Sequence, residues 1–258
     1  KWRVSNNISE VRIADLSFNR PEISSFLSRT IDLVLSEHDI SLLEKRTEGW
    51  AAGLQLAALS LQNCRDIPTF IREFAGTNRH IVDYLVEEVL NRQPDHIQRF
   101  LLYTSILDQM TGELCDYLTE RNDSRQILID LDNENLFIIP LDNARSWYRF
   151  HHLFADLLRQ RLQYTASRII PKLHTSASKW YEKNNFVDNA IDHAFAACDY
   201  NRAAVLISDL SDTAWEFERK SKIFEWFEIL PDEYIYERPN LCFFSAWVLT
   251  ENAKFTEA

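Results

Sequence analysis

A nearly continuous apolar segment, Trp50–Leu61, constrains the fold of this chain more than any other feature. Within it only Gln55 and Ser60 are polar. A helix that is apolar on almost every side has to be buried on most of them. We therefore expect a small helical domain over residues 15–75, with this helix at its centre.

Two helix starts are predicted ahead of the apolar segment. Asn19 is followed three residues later by Glu22, and Ser36 is followed by Asp39 in the same way. Such pairs are typical of capping boxes, in which side chains satisfy the backbone N–H groups that a first helical turn leaves unpaired. Residues 10–14, ahead of both pairs, suggest a short strand.

Residues 76–168 combine helical patterns with two short strands. The helical patterns cover 80–91, 94–107, 112–118, 125–133 and 153–163, and the strands cover 136–141 and 147–150. The polar residues between the two strands predict a hairpin turn. Helices that are followed by a β-hairpin and a further helix describe a winged-helix domain.

From 169 to 258 the sequence is helical, with short polar turns. Residues 187–210 predict a helical hairpin with alanines on both packed faces. The turn that begins at Cys198 recurs loosely at Ala253, which predicts the start of a tetratricopeptide-like α-solenoid. The expected fold class is therefore mainly α: a helical domain, a winged helix and the start of a helical superhelix.

Composition excludes several classes of function. The chain has 258 residues, a net charge of −11 and only 4 glycines, and it contains neither a P-loop nor a dinucleotide-binding glycine motif. The sequence presents no catalytic constellation, so we expect no enzyme activity from this chain. Its acidity disfavours binding to nucleic acid or anionic lipid over the whole surface.

Cysteine usage and hydropathy predict the compartment. The cysteines Cys64, Cys115, Cys198 and Cys242 form no disulfide or zinc pattern, and we expect them to be buried, reduced thiols. Since no apolar run is long enough to span a membrane, we expect a soluble, cytoplasmic protein with no membrane partner. Because the chain starts without Met and stops within the repeat, we interpret it as a fragment.

The doublet His151-His152 lies where the second strand meets the last helix of the predicted winged helix. The N–H groups and the positive dipole at a helix N-terminus bind anions, and an imidazole can add a donor. His151 is therefore a candidate anion ligand. A histidine that only caps its own helix fits the sequence equally well. A metal site is disfavoured, because no further ligands lie near the doublet in the sequence.

Basic residues are concentrated in 143–172. The set is Arg145, Arg149, Arg159, Arg161, Arg168 and Lys172, against a single acid, Asp156. These side chains could face a bound nucleotide, an acidic neighbouring domain or solvent. DNA binding by this module is disfavoured, because the helix over 124–135 that would enter the major groove carries a net negative charge.

Several strings resemble those of one family. Residues 46–61, RTEGWAAGLQLAALSL, resemble the signature of the MalT-type, ATP-dependent LuxR-family transcriptional activators, which belong to the STAND class of signal-transduction ATPases. Further strings resemble the same proteins in the same order, at 81–90, 147–154, 230–233, 238–241 and 246–247. The resemblance covers essentially the whole chain.

The resemblance implies an order of domains. These proteins contain a P-loop nucleotide-binding domain, a small helical domain, a winged helix, a superhelical sensor and a C-terminal helix-turn-helix that binds DNA. By this resemblance, 1–14 is the last strand of the nucleotide-binding domain, 15–75 the small helical domain, 76–168 the winged helix and 169–258 the start of the sensor. The P-loop and the DNA-binding domain are expected outside the sequence.

The resemblance also implies site residues. Gly49, Trp50 and Ala51 match the G-x-P motif of the class, in which the Pro packs on the adenine; here Ala51 replaces that Pro. His151 matches the His of the M-H-D-like motif, which contacts the β-phosphate of bound ADP, although the residues on both sides of it differ from the motif.

The function implied by the resemblance is that of a switch. ADP or ATP with Mg²⁺ is expected to bind the full-length protein, a slow ATPase, between its own nucleotide-binding domain and these modules. We expect no nucleotide to bind the isolated fragment. A small-molecule or protein inducer at the repeats is expected to favour self-association, and DNA is expected to bind only through the absent domain. The competing interpretation is a nucleotide-independent scaffold of winged helix and solenoid that binds a peptide or protein.

Overall fold

The computed structural model describes residues 16–31, 35–61, 70–71, 85–211 and 220–251. Within them the chain is mainly helical with one two-stranded sheet, which confirms the expected fold class. These residues fall into two compact units, one within 1–115 and 122–165, the other within 116–121 and 166–258. The predicted strand over 1–14, Cys64 and the repeat at Ala253 lie outside the described residues.

The first unit opens with helices α1 (Arg20–Thr30), α2 (Glu37–Thr47) and α3 (Ala51–Leu61). Both predicted capping boxes are confirmed. The N–H of Glu22 donates to the Asn19 side chain at 3.0 Å, and the N–H of Asn19 donates to the Glu22 carboxylate at 2.9 Å. Ser36 and Asp39 cap α2 reciprocally in the same way. The sequence therefore determines where these two helices begin.

Helix α3 is buried on one side only. It packs against α1 and α2, and its buried residues are Gly53, Leu54, Ala57, Ala58 and Leu61. Ala51, Gln55 and Leu59 are exposed. These three recur at every fourth position and so form one stripe along the helix. The expectation that α3 is buried on most sides is corrected accordingly.

A helix–hairpin–helix arrangement follows, as predicted for a winged helix. Its elements are a π-helical turn (Leu85–Leu90), α4 (Asp95–Thr104), α5 (Gly112–Thr119), α6 (Ser124–Asn133), β1 (Ile138–Pro140), β2 (Tyr148–Phe150) and α7 (His152–Ala166). The two strands are antiparallel, with Ile138 opposite Phe150, and Tyr148 also bridges to Met110. The carboxylate of Asp142 closes the turn by accepting hydrogen bonds from two backbone N–H groups at 2.9 and 3.0 Å.

The second unit is helical throughout its described part. After a 3₁₀ turn (Ser167–Ile169) it contains α8 (Ile170–Lys183), α9 (Val187–Ala196), α10 (Tyr200–Ser211), α11 (Lys220–Ile229), α12 (Asp232–Tyr236) and α13 (Pro239–Glu251). Helix α9 packs against both α8 and α10, and the alanines Ala190, Ala194, Ala203 and Ala204 are fully buried. The predicted hairpin over 187–210 is therefore confirmed. Within the described residues, no helix is both long and apolar enough to cross a membrane.

The cysteines depart from the prediction at one position. Cys115 is buried and Cys242 is partly buried, but Cys198 is exposed. Cys198 has φ of 57°, and the next residue, Asp199, donates its N–H to the carbonyl of Ala194 at 3.0 Å. This is the Schellman ending of a helix. The expectation of a buried thiol is wrong here, because Cys198 occupies the turn and belongs to neither packed face.

Candidate functional site

Two turns that are far apart in sequence meet in the first unit. One is the C-terminal end of α2, with Thr47 and Glu48; the other is the junction between β2 and α7, with Arg149 in β2 and with His151 and His152 at the start of the helix. We call these five residues the Glu48 joint. They connect the small helical region to the winged helix, and the side chains involved are about 100 positions apart in the chain.

The backbone after α2 makes a sharp left-handed turn. Glu48 has φ of 50° and Gly49 has φ of 73°. A Cβ atom on Gly49 would lie 2.4 Å from the carbonyl oxygen of Phe18, and the N–H of Phe18 donates to the Gly49 carbonyl at 2.8 Å. Glycine is therefore required at this position for its conformation and for the close approach of Phe18.

The Glu48 carboxylate is bound on two sides. Arg149 donates to both carboxylate oxygens, at 2.9 and 2.6 Å. The backbone N–H of His152, at the start of α7, donates to one of the same oxygens at 3.1 Å. Glu48 therefore caps α7 in the favourable field of its N-terminus while a guanidinium neutralises its charge. Burial would raise the pKa of Glu48, but the Arg149 and His152 hydrogen bonds hold it below its usual value.

His151 is buried, with only 7% of its surface exposed. Its Nε2 lies 2.9 Å from the carbonyl oxygen of Thr47. A carbonyl oxygen only accepts, so Nε2 carries the proton and donates. Burial lowers the pKa of the ring, which keeps it neutral and leaves Nδ1 unprotonated. Nδ1 is buried and has no hydrogen-bond partner among the described residues.

Aromatic side chains surround the His151 ring. Trp50 and Phe137 meet it edge-on, with ring centroids 6.0 and 5.9 Å away, and they meet each other at 4.9 Å. Phe137 has φ of 53°, an unusual backbone conformation for a bulky residue, and its carbonyl accepts the N–H of His151 at 2.8 Å. With Glu48, this places beside one histidine two of the seven non-glycine residues with left-handed backbone in the part of the chain that the structure describes.

Gly53 accounts for the second glycine of the signature string. A Cβ atom on Gly53 would lie 2.5 Å from Cε3 of Trp50. The absent side chain lets the indole ring lie against its own helix and reach Phe137. The segment from Gly49 to Gly53 is therefore a packing signature, in which each glycine makes room for a specific neighbour.

The four predicted site residues are not equivalent in the structure. Gly49 and His151 are buried and Trp50 is half-buried, whereas Ala51 is exposed at the start of α3. Trp50 and His151 are brought together, but His151 faces the Thr47 carbonyl and two aromatic rings. The chain's own residues therefore enclose the His151 ring.

Sequence reasoning missed Glu48. It lies inside the recognised string, between Thr47 and Gly49, but a lone glutamate at the end of a helix is ordinarily a solvated side chain. Its partner, Arg149, was assigned to the basic segment without a specific role. The sequence carries no local signal for the pair beyond Gly49, the glycine that directly follows Glu48.

Most basic side chains of the segment 143–172 form ion pairs with acidic residues from other parts of the chain. The pairs are Arg145 with Asp132, Arg149 with Glu48, Arg159 with Asp108 and Lys172 with Glu120. Asp156, the acid within the segment, lies 4.0 Å from Arg46. Most of these pairs are solvent-exposed and contribute little stability. Across the part of the chain that the structure describes, no group of three or more His, Cys, Asp and Glu side chains could hold a metal ion.

The stability of the first unit is expected to depend on the protonation of His151. The folded ring has a pKa below its ordinary value of 6.5, because it is buried. Its contribution to stability is therefore present above pH 6.5 and is lost as the pH falls below that value, since the unfolded chain binds the proton more tightly. Thermal unfolding followed between pH 7.5 and pH 5.5, a range chosen around the ordinary histidine pKa of about 6.5, measures this effect.

The matched variants are His151→Gln and His152→Gln. The first removes the buried titrating ring, so its melting temperature should fall less on acidification than that of the unsubstituted chain. The second removes the neighbouring imidazole, which is 52% exposed and lies 3.7 Å from a Glu48 carboxylate oxygen, and it should change the pH dependence less than His151→Gln does, because the buried ring stays in place. Equal pH dependence in all three proteins would show that His151 is not buried in its neutral form.

Comparison with known proteins places this arrangement in a class. Residues 86–169 match the MalT winged helix domain family. The HTH-type transcriptional regulator MalT of Yersinia enterocolitica is 31% identical over 99% of this chain and 28% of its own length. The serine/threonine-protein kinases PknK of Mycobacterium tuberculosis and Mycobacterium bovis are 31% identical over 96% of this chain and 22% of theirs.

The chain is thus a mainly helical segment that contains a winged helix. Its residues 86–169 belong to the MalT winged helix domain family, and the chain spans about a quarter of the length of the curated relatives that it matches, 22% to 28%.

Proposed function

We propose that this chain is the central regulatory segment of a MalT-type transcriptional regulator. The observation that carries the proposal is the similarity to MalT along 99% of the chain, together with the winged-helix match at 86–169. In this function the segment transmits a signal from a sensor that begins in the second unit to domains outside the sequence, among them the one that binds DNA.

In this function the Glu48 joint makes two modules move as one. The turn after α2 is bound to Arg149 and to the first N–H group of α7 through a single carboxylate. A displacement of that turn therefore has to move the start of α7, or break a charge-assisted contact that is mostly shielded from water. This is how a change at one module would reach the other.

The nucleotide part of the proposal concerns the longer protein. We propose that it binds ADP or ATP with Mg²⁺ on a domain outside this chain, is a slow ATPase, senses a small-molecule or protein inducer through its repeats and self-associates in the cytoplasm when active. Ala51 is exposed at the start of α3 and fits a contact with such a domain. His151 does not fit a phosphate contact, because its protonated nitrogen is engaged and its other nitrogen is buried and unprotonated. We therefore derive no step from a nucleotide at His151.

The kinase relatives favour a second candidate, an interaction scaffold independent of nucleotide. A segment 31% identical to this chain is present both in proteins named as kinases and in one named as a transcriptional regulator. A scaffold that connects a signal to different outputs would be expected in proteins of different function, such as kinases and transcriptional regulators. It would bind a peptide or protein along the helices of the second unit.

Chromatin immunoprecipitation of the parent protein discriminates between these functions. A regulator should enrich a small set of promoters, and deleting residues 16–251 should abolish the response of those promoters to the inducing condition. Promoter enrichment that is absent under all growth conditions, together with stable capture of a protein by the isolated segment, would favour the scaffold. Calorimetric titration of the isolated chain with ADP is expected to give no binding heat.

A further inference from the structure

The corner between β2 and α7 has the features of an anion site, and the chain itself supplies the anion. We propose that the Glu48 carboxylate occupies the anion position of this corner. His151 and the start of α7 then bind the turn after α2 and not a nucleotide phosphate. The proposal deepens the function proposed above, since it assigns the regulated contact to a joint within the chain. Glu48 is then a positioning residue.

Glu48 balances the positive charge of this corner. A helix N-terminus carries about half a positive elementary charge, and one carboxylate satisfies it. Glu48 occupies that position at 3.1 Å from the His152 N–H, and Arg149 binds both of its oxygens. A phosphate that entered the same corner would meet the negative Glu48 carboxylate at contact distance and would have to displace it from Arg149.

The His151 ring has no N–H group available for a further acceptor. A phosphate oxygen has to receive a hydrogen bond, so it needs an N–H group that points towards it. Nε2 already donates to Thr47, at 2.9 Å, and Nδ1 has no proton to give while the ring is neutral. Neither nitrogen of the ring therefore offers a donor to an external anion.

The His151 ring is also inaccessible to an external ligand. The 7% exposure of His151 is measured on this chain alone. Atoms of a further domain can only cover more of the ring, since added atoms never create accessible surface. A ligand held by another domain would reach the ring only after Thr47 and Trp50 had moved away. The enclosed ring is therefore a feature of this chain in any longer protein that keeps the present conformation.

The test compares ADP with AMP binding in the parent protein. A contact to the β-phosphate contributes to ADP binding and not to AMP binding, so its loss lowers the affinity ratio by about tenfold or more. A loss transmitted through the fold weakens both nucleotides alike. For the His151→Gln and Glu48→Gln variants we expect an ADP-to-AMP affinity ratio within about threefold of the unsubstituted protein.

Hydrogen exchange supplies a second readout that does not require nucleotide. In both variants the backbone amides of residues 47–52 and the first turn of α7 should exchange at least about tenfold faster, because local opening costs less. Glu44→Gln, which removes a carboxylate from the same helix outside the joint, should leave those amides unchanged.

Two results would overturn the proposal. One is a tenfold fall in the ADP-to-AMP ratio in His151→Gln alone, which would assign a phosphate contact to the ring. The other is unchanged exchange at 47–52 in Glu48→Gln. If the parent protein binds neither nucleotide, the nucleotide switch fails, and the exchange measurement still decides whether Glu48 holds the joint.

Discussion

Replacing Glu48 with alanine is expected to lower the free energy of unfolding of the first unit by about 2–3 kcal/mol, which is less than the roughly 3–5 kcal/mol for one partner of a fully buried ion pair, because this pair is partly exposed. The change leaves the Arg149 guanidinium, which is 26% exposed, without its carboxylate and leaves the start of α7 uncapped. Urea denaturation of the isolated chain, followed by tryptophan fluorescence, measures the loss, since Trp50 lies beside the joint.

The matched control for this prediction is Glu44→Ala. Glu44 lies one helical turn before Glu48 and pairs with Arg20 at 2.7 Å, but these side chains are 32% and 51% exposed. A solvated pair of this kind contributes at most about 1 kcal/mol. If the two substitutions cost the same, the contacts of Glu48 have no special weight and the joint is an ordinary surface pair.

Replacing Gly49 with alanine is expected to cost about 2–4 kcal/mol, which combines the left-handed backbone of a non-glycine residue with an overpacked contact. The backbone has φ of 73°, and the new Cβ atom would lie 2.4 Å from the Phe18 carbonyl oxygen. Urea denaturation of the isolated chain, as for Glu48→Ala, measures this loss of unfolding free energy. Because the turn also carries Glu48, the hydrogen bonds of the joint should weaken in parallel.

Gly49→Asn separates the two causes. Asparagine adopts left-handed backbone more readily than alanine, but it brings the same Cβ atom towards Phe18. We expect it to be nearly as destabilising as alanine. If asparagine restores most of the stability, the backbone conformation alone explains the glycine, and the close approach of Phe18 is not limiting.

Local features of the fold could be predicted from the sequence. The capping boxes at Asn19 and Ser36 and the alternation of helix and strand around 136–150 depend on residues within a few positions of each other. Such patterns report local hydrogen bonding and the side of an element that is apolar. They predicted the starts of α1 and α2, the hairpin, and the helical pair over 187–210.

Contacts across the chain could not be predicted in the same way. Glu48 and Arg149 are 101 residues apart, and neither has a local pattern that selects the other. The exposed stripe of α3 was missed because Ala51 and Leu59 are apolar, and composition does not say which neighbour is available to cover them. The exposure of Cys198 was missed because the turn after α9 uses only the backbone of this residue, so its side chain carries no signal of the turn.

The corner between β2 and α7 could be predicted from the sequence only in part. The order strand, histidine doublet, helix predicted a helix N-terminus beside an imidazole, and α7 does begin at His152, next to His151. The sequence could not identify the anion, because a carboxylate from the same chain and a phosphate from a ligand satisfy the same N–H groups. Only the folded position of Glu48 distinguishes them.

The most direct test of the Glu48 joint is a double-mutant cycle on Glu48 and Arg149 in the isolated chain. It uses Glu48→Ala, Arg149→Ala and the double variant, with unfolding free energies from denaturation. We expect a coupling free energy of at least about 1.5 kcal/mol, within the range for residues that share a hydrogen-bonded ion pair. Additivity within about 0.5 kcal/mol, as found for independent sites, would contradict the account.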